Sequence, residues 1–282
     1  MRIIAQTPGK PLSAWVTSIW YFEGDAISHT QERILPNGEM QLLVNLERDE
    51  LRWWDRGLAV RRMMGTALAG AFDQPFQIDT QQQRRITGVS FAPGGAAAFF
   101  RGSMREFAND HLALTDFPGW RSIRTDLVEA HSRSAHEVLA TWVRFLLANW
   151  KPLDDRNLQT ARHLLETGRS VHEVADLMSM SVRKLRSDFA ESVGMAPKKY
   201  ARIRRLQRLV RSIAASRSER DWAALAAEHG FFDQPHMIRE FRALAGVTPM
   251  TYCPRDQEDW NHSVVSDADS YNTRRHATAT RE

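Results

Sequence analysis

Five arginines, Arg202, Arg204, Arg205, Arg208 and Arg211, crowd one stretch of the chain, and the apolar residues among them, Tyr200, Ile203, Leu206, Val210 and Ile213, recur at three- and four-residue steps. On a helix that spacing gathers the apolar side chains into one stripe and leaves guanidinium groups over the rest of the surface. Guanidinium groups so displayed bind phosphates and release their counterions. Residues suited to covalent chemistry lack their partners. His136-Glu137 and His172-Glu173 each begin like a zinc-hydrolase helix, but neither has a His four residues on. Ser181-x-x-Lys184 has the spacing of a serine acyl-enzyme motif without its companion motifs, and Gly88-x-Ser90 is followed by Ala92 where a nucleophile elbow needs glycine. His29 and His111 are too far apart in sequence for closely spaced metal ligands. Cys253 is the single cysteine, which excludes an intrachain disulfide and a four-thiolate zinc site. No catalytic residue, metal or cofactor is therefore expected.

The charge distribution agrees with a polyanion partner. Residues 1–150 carry 16 basic and 16 acidic side chains, residues 151–253 carry 18 and 12, and residues 254–282 carry 4 and 6. All the positive excess of a chain with net charge +4 thus sits in one block of about a hundred residues. At 43% hydrophobic and 26% charged the composition is globular. No apolar run approaches the ~18 residues that span a bilayer. The stretch Met1-Arg2-Ile3-Ile4-Ala5-Gln6 lacks the apolar core of a signal peptide. A cytoplasmic location is the expectation.

Four segments follow. Residues 1–125 read as strand-rich, with strands at Val16–Phe22, Met40–Leu46 and Ile86–Phe91, a strand entering a turn at Ile34-Leu35-Pro36-Asn37-Gly38, and a break at Pro93-Gly94-Gly95. The irregular connections favour a small β-barrel or sandwich, with a helix over Ala96–Phe107 packed on it. Residues 126–150 place Leu127, Val138, Leu139, Trp142 and Leu146 on one face of an amphipathic helix, or of two short ones joined near Ser132–Ser134. That stripe covers the sheet or makes a dimer contact. Pro152 ends this helix and Asp154 or Asp155 caps the next. Residues 151–253 are helical throughout. The tail, 254–282, has few large apolar residues and is expected to be disordered.

The helical segment contains the same unit twice. Ser170 is a fitting N-cap with Glu173 completing a capping box, Val174, Ala175, Leu177 and Met178 form an apolar face, and Ser179-Met180-Ser181 breaks the helix. Ser181 caps a second, polar helix in which Leu185 and Phe189 face inward. Ala175 is small enough for two helices to cross steeply, as in a helix-turn-helix. In the second unit Trp222–His229 ends at Gly230, Phe231 and Phe232 form the turn, and Asp233 caps a helix over Gln234–Ala243 with Met237 and Phe241 inward. Pro235 is tolerated in its first turn. The units close alike, on Val193-Gly194-Met195-Ala196-Pro197 and Ala245-Gly246-Val247-Thr248-Pro249. Between them Pro197–Ala215 makes a rod of about 28 Å, close to the ~34 Å of one DNA turn.

Residues 154–252 resemble the DNA-binding domain of the AraC/XylS transcription regulators, through both units, the linking helix, both Gly-x-x-Pro closures and the string Gly230–Phe241. Pro235 departs from the family pattern, as do the acidic Asp188 and Glu240. The resemblance implies a DNA-contacting face of Ser181, Val182, Arg183, Arg186 and Ser187 in the first unit and Gln234, Pro235, His236 and Arg239 in the second, with Arg204 and Arg208 of the linking helix on phosphates. Arg33–Leu43 and Gly88–Gly95 resemble the cupin-like sensor domain of one subset of these regulators, which binds a small effector or dimerises; Trp15, Trp20, Trp53, Trp54 and Phe76 are candidates to line its pocket. The fold class expected is α+β: a small cupin-like barrel or sandwich followed by an all-α domain of two helix-turn-helix units. The partners implied are double-stranded DNA, a small-molecule effector, a second copy of the chain and, for an activator, RNA polymerase. A cupin-type enzyme with an appended helical domain and a protein-binding module are the competing readings.

Overall fold

Alternation of apolar side chains along short β-branched and aromatic runs builds two antiparallel sheets. The computed structural model describes residues 2–24, 29–55, 59–82, 84–215, 220–255 and 260–265. The first sheet joins β1 (Arg2–Gln6), β2 (Val16–Glu23), β9 (Arg85–Phe91), β4 (Gln41–Asn45), β7 (Thr66–Ala69) and β10 (His111–Ala113), in that spatial order. The second joins β11 (His262–Val264), β3 (Gln31–Ile34), β8 (Phe76–Asp79), β5 (Leu51–Trp54) and β6 (Val60–Met63). Register sorts the first sheet into two faces. Ile19, Val89, Leu42 and Leu68 stand opposite one another in one row, and Trp20, Gly88, Leu43 and Ala67 in the next. The second face packs with Phe22 and Ile86 against Leu51 of the other sheet. The first face receives α1 (Ile123–Arg133) and α2 (Ala135–Asn149), where the buried indole of Trp142 donates to Thr87 Oγ1 at 3.0 Å. The six-stranded sheet therefore lies between the second sheet and a helical layer, the α+β arrangement expected.

One detail differs from the sequence reading, and its alternatives for the α2 stripe and for the cap of the next helix are decided. Ala96–Phe107 is not one helix but two 3-10 turns, Gly95–Ala98 and Met104–Phe107, because the chain opens at Arg101-Gly102 and restarts on a Ser103 cap. The stripe of α2 is spent within the chain: Val138, Trp142 and Leu146 are fully buried. Asp155 stands at the N-cap of α3 (Arg156–Glu166) with its carboxylate on the Gln159 side chain, and it is Asp154 Oδ1 that accepts a backbone N–H, from Arg156 at 3.3 Å. The break between α1 and α2 falls at Ser134, whose Oγ accepts from Glu137 N at 3.1 Å.

The rest of the helical region comprises α4 (Val171–Leu177), α5 (Val182–Val193), α6 (Pro197–Ala215), α7 (Trp222–Glu228) and α8 (Gln234–Ala245). It is docked on the sheets through one continuous core. The Tyr200 ring lies over Gly38, where a Cβ would come within 3.1 Å of it. Gln207 donates to Pro36 O at 2.8 Å. Lys199 pairs with Asp73 at 3.1 Å. Both unit closures meet one segment of the N-terminal domain. A Cβ on Gly194 would stand 3.5 Å from Ala71 and 2.9 Å from the Met104 carbonyl, and one on Gly246 would stand 3.6 Å from Pro75.

The tail corrects the expectation of disorder as far as it is described. After Tyr252 the chain returns to the N-terminal domain, where β11 pairs antiparallel with β3. Trp260 donates to Gln207 Oε1 at 3.3 Å and stacks on the Arg211 guanidinium. Arg255 and His262 reach the fully buried carboxylate of Glu32, at 3.2 and 2.7 Å, and His29 reaches it from the other side at 2.7 Å. Burial alone would raise the Glu32 carboxyl, but hydrogen bonding to His262 and the charges of His262 and Arg255 outweigh it and hold the group down at about 2. A buried acid needing partners, together with strand pairing and the packing of Trp260, holds this segment. Residues 266–282 lie outside the described residues.

Candidate nucleic-acid interface

The first helix-turn-helix is built by its caps. Ser170 Oγ accepts from Glu173 N at 3.2 Å, and Glu173 Oε2 accepts from Ser170 N at 2.7 Å, the full capping box. The same backbone bond is the main cause of a lowered Glu173 carboxyl. Met178 N and Met180 N then bond back to Val174 and Ala175 carbonyls, with Ser179 at φ +53, and the chain turns. Ala175, almost wholly buried, sits at the crossing. Ser181 Oγ accepts from Lys184 N at 3.2 Å and starts α5. Leu185, Phe189 and Val193 bury one face of α5, which leaves Ser181, Arg183, Arg186 and Ser187 exposed and Val182 half-buried. Asp188 is taken up by Lys184 at 2.7 Å, and Ser187 Oγ donates to Glu191 at 3.0 Å.

The second unit repeats this. Asp221 caps α7 through the amides of Ala223 and Ala224, and Phe231 N bonds to Ala226 O across the turn. Asp233 Oδ1 accepts from His236 N to start α8. Met237 and Phe241 are fully buried. Pro235 and Arg239 are exposed and Gln234 is half-buried. His236 is committed within the turn: its Nδ1 accepts from Phe232 N at 3.2 Å. Each unit ends on a glycine in the left-handed region, Gly194 at φ +86 and Gly246 at φ +75, whose N–H bonds to the carbonyl four residues back. A residue with a Cβ is disfavoured there, which is why both closures carry glycine.

The linking helix departs from expectation. Arg204 faces the N-terminal domain, pairing with Glu166 at 3.3 Å and donating to Asn37 O at 3.3 Å. Arg208 is exposed, but one of its N–H groups is held by Glu166 O, at the C-terminal end of α3. Arg202 and Arg205 converge on the nearly buried Glu240 of α8, Arg205 also holding Gly230 O and the Phe231 ring. Arg211 lies on Trp260. The helix is central to the domain, so part of its polar face is covered by α8, by the tail and by the sheet turn at Pro36–Gly38, while Arg208 and Arg211 stay exposed. Glu240 is thereby an internal clamp between α6 and α8. Among the described residues the side chains of Arg183, Arg186, Gln234 and Arg239, on the outer faces of α5 and α8, carry no hydrogen bond or ion pair. Phe232, read from the sequence only as a turn residue, is 92% exposed in the second turn.

Of the candidate pocket residues, Trp15 is in the core and Trp20 covers Gly88 inside the sandwich. Trp53 and Phe76 instead help line a cleft of about 750 Å³ at the edge of the sheets, together with Phe72. Trp54 is half-buried and does not line it. His111 lies against these rings, with centroids 4.3 Å from Trp53, 4.9 Å from Phe72 and 5.1 Å from Phe76. Burial pushes its imidazole down to about 3, so it is neutral. Among the described residues no group of three His, Cys, Asp or Glu side chains is arranged to hold a metal ion, and no helix is long and apolar enough to cross a membrane.

Residues 174–255 match the family model of a helix-turn-helix domain, and residues 5–113 match a domain of unknown function (DUF6597). The chain thus carries a helix-turn-helix domain of the AraC type behind a separate N-terminal domain. No curated protein sequence matches it. Among solved structures it is similar to an apo ToxT variant from Vibrio cholerae strain SCE256, at 10% identity and a TM-score of 0.47, over 89% of this chain and 96% of that one. It is also similar to ToxT from Vibrio cholerae O395, at 10% identity and a TM-score of 0.43, over 82% and 94%. The wild-type ToxT of strain SCE256 with bound unsaturated fatty acid gives 10%, 0.43, 88% and 95%.

Proposed function

We propose that this chain is a sequence-specific DNA-binding transcription regulator, in which α5 and α8 enter successive major grooves and the N-terminal domain, sensing a small molecule, governs how they are presented. The observation that carries the reading is the repeated helix-turn-helix whose second helices each keep uncommitted side chains outward. Arg183, Arg186 and Arg239 offer bidentate donors to guanine, and Gln234 offers the amide that reads adenine. Ser181, Val182, Ser187 and Pro235 lie on the same faces and set the approach to the backbone. Arg208 keeps free donors for a flanking phosphate. The 19 residues of α6 make a spacer of about 28 Å against a DNA turn of about 34 Å. The reading is of a protein that binds and does not turn over substrate, works in the cytoplasm, and takes RNA polymerase as a further partner if it activates. A second copy of the chain would have to dock on a surface other than the buried stripe of α2.

The test is binding of the full chain to fragments flanking its own gene, at two salt concentrations and with nonspecific competitor. A competitor-resistant complex on one fragment with a steep salt slope is expected. Binding that competitor removes from every fragment would overturn sequence-specific recognition.

A further inference from the structure

The aromatic cleft at the sheet edge has features the core does not require. Trp53, Phe72 and Phe76 are only half-buried, although three large rings gathered at one place ordinarily cover one another. Behind them His111 is nine-tenths buried, and its Nδ1 has no hydrogen-bond partner among the described residues. A half-open apolar cleft with convergent polar groups is the usual form of a small-molecule site. Among the described residues its rim carries three carboxylates, Asp55, Asp73 and Asp110, against the guanidinium of Arg61. Asp73 and Asp55 are each balanced by a cation, at 3.1 Å from Lys199 and 2.9 Å from Arg61. Among the described residues the Asp110 carboxylate takes only the backbone N–H of His111. Aromatic faces with an unbalanced carboxylate attract a flat organic cation and repel the corresponding anion.

The cleft also touches the machinery that presents the DNA-binding helices. One strand-connecting segment supplies Phe72 and Phe76 to the ligand side. From the same segment Ala71 abuts the closure at Gly194, Asp73 holds Lys199 of α6, and Pro75 abuts the closure at Gly246. A molecule that moves the two rings must move the footing of both helix-turn-helix units.

We infer that this cleft is the effector site, that it takes a small aromatic amine or comparable flat organic cation, and that the segment from Ala71 to Phe76 carries its occupancy to α5 and α8. The inference rests on the regulator reading for its second half only, because ligand binding is read without DNA. Calorimetric titration of the full chain with tryptamine, and with indole-3-propionate as the anionic counterpart, tests the site. Tryptamine is expected to bind saturably and about tenfold tighter than the anion. Asp110→Asn, which keeps the acceptor for His111 N, is expected to remove most of that preference, and Trp53→Ala to weaken tryptamine by about tenfold. Equal binding of the two probes, no tryptamine binding below about 1 mM, or variants that bind as the parent does would each overturn the assignment. The same titration in the presence of bound operator tests the coupling: Lys199→Met is expected to reduce any effect of tryptamine on DNA affinity, and an unchanged effect would refute the route through Asp73.

Discussion

Replacing Glu240 with alanine isolates the contact that ties α6 to the second helix-turn-helix. The carboxylate is 8% exposed and receives Arg202 Nε at 3.1 Å and Arg205 Nη2 at 2.6 Å. Removing one member of a buried ion pair costs about 3–5 kcal/mol because the other charge is stranded. Here the stranded groups are arginines with 33% and 23% of their side chains exposed. They can recover water, and Arg205 keeps Gly230 O and the Phe231 ring. The expected loss is therefore about 2–3 kcal/mol, below the full penalty for a buried charge. Urea unfolding followed by circular dichroism reads it as a fall in midpoint at unchanged slope. Glu240→Gln keeps the shape and one acceptor and should lose roughly half as much. A double-mutant cycle with Arg205→Ala should give a coupling of at least about 1 kcal/mol. A loss under about 0.5 kcal/mol would place Glu240 among ordinary surface pairs and refute the clamp.

Three further outcomes are expected. Arg186→Ala should weaken specific binding by about 1–3 kcal/mol and random-DNA binding much less in competition assays; equal losses would mean a phosphate contact alone. Glu39 stands at the domain contact, where burial, against the opposing charges of Arg204 and Arg162, pushes its carboxyl up to about 7 from 4.5. A raised acid stabilises docking fully below its unfolded value and loses that contribution as pH climbs through about 7. Melting temperature should thus fall between pH 5 and about 8 in the parent, and Glu39→Gln should flatten the fall; a parallel curve in the variant would refute the assignment. Truncation after Pro254 removes Arg255, Trp260 and β11 and leaves buried Glu32 with His29. It should cost about 3 kcal/mol or more at pH 7. The cost should shrink as pH falls below 4.5 toward about 2, where the depressed Glu32 carboxylate is itself lost. Wild-type stability after truncation would show the tail to be passive.

The caps, the periodicity and the paired glycine closures were legible in the residue order because they are local. Ser170 with Glu173, Ser181, Asp233, Gly194 and Gly246 satisfy backbone groups within four residues of themselves, so spacing alone specified both helix-turn-helix units and the break at Ser134. Strands with a continuous apolar run, such as β2, β4 and β9, were legible for the same reason. Short strands such as β6 and β10 were not, since their residues gain meaning only from a partner across the sheet. Charge could be counted from the sequence but not assigned: the five arginines of α6 look alike in order, and only packing shows Arg204 turned to the sheet, Arg202 and Arg205 to Glu240, and Arg211 to Trp260. The described part of the tail was misread because hydropathy measures what can bury a core. That part is held instead by pairing with β3, by Trp260 against Gln207 and Arg211, and by a buried carboxylate more than two hundred residues away, which must be paired wherever its partners lie in the chain.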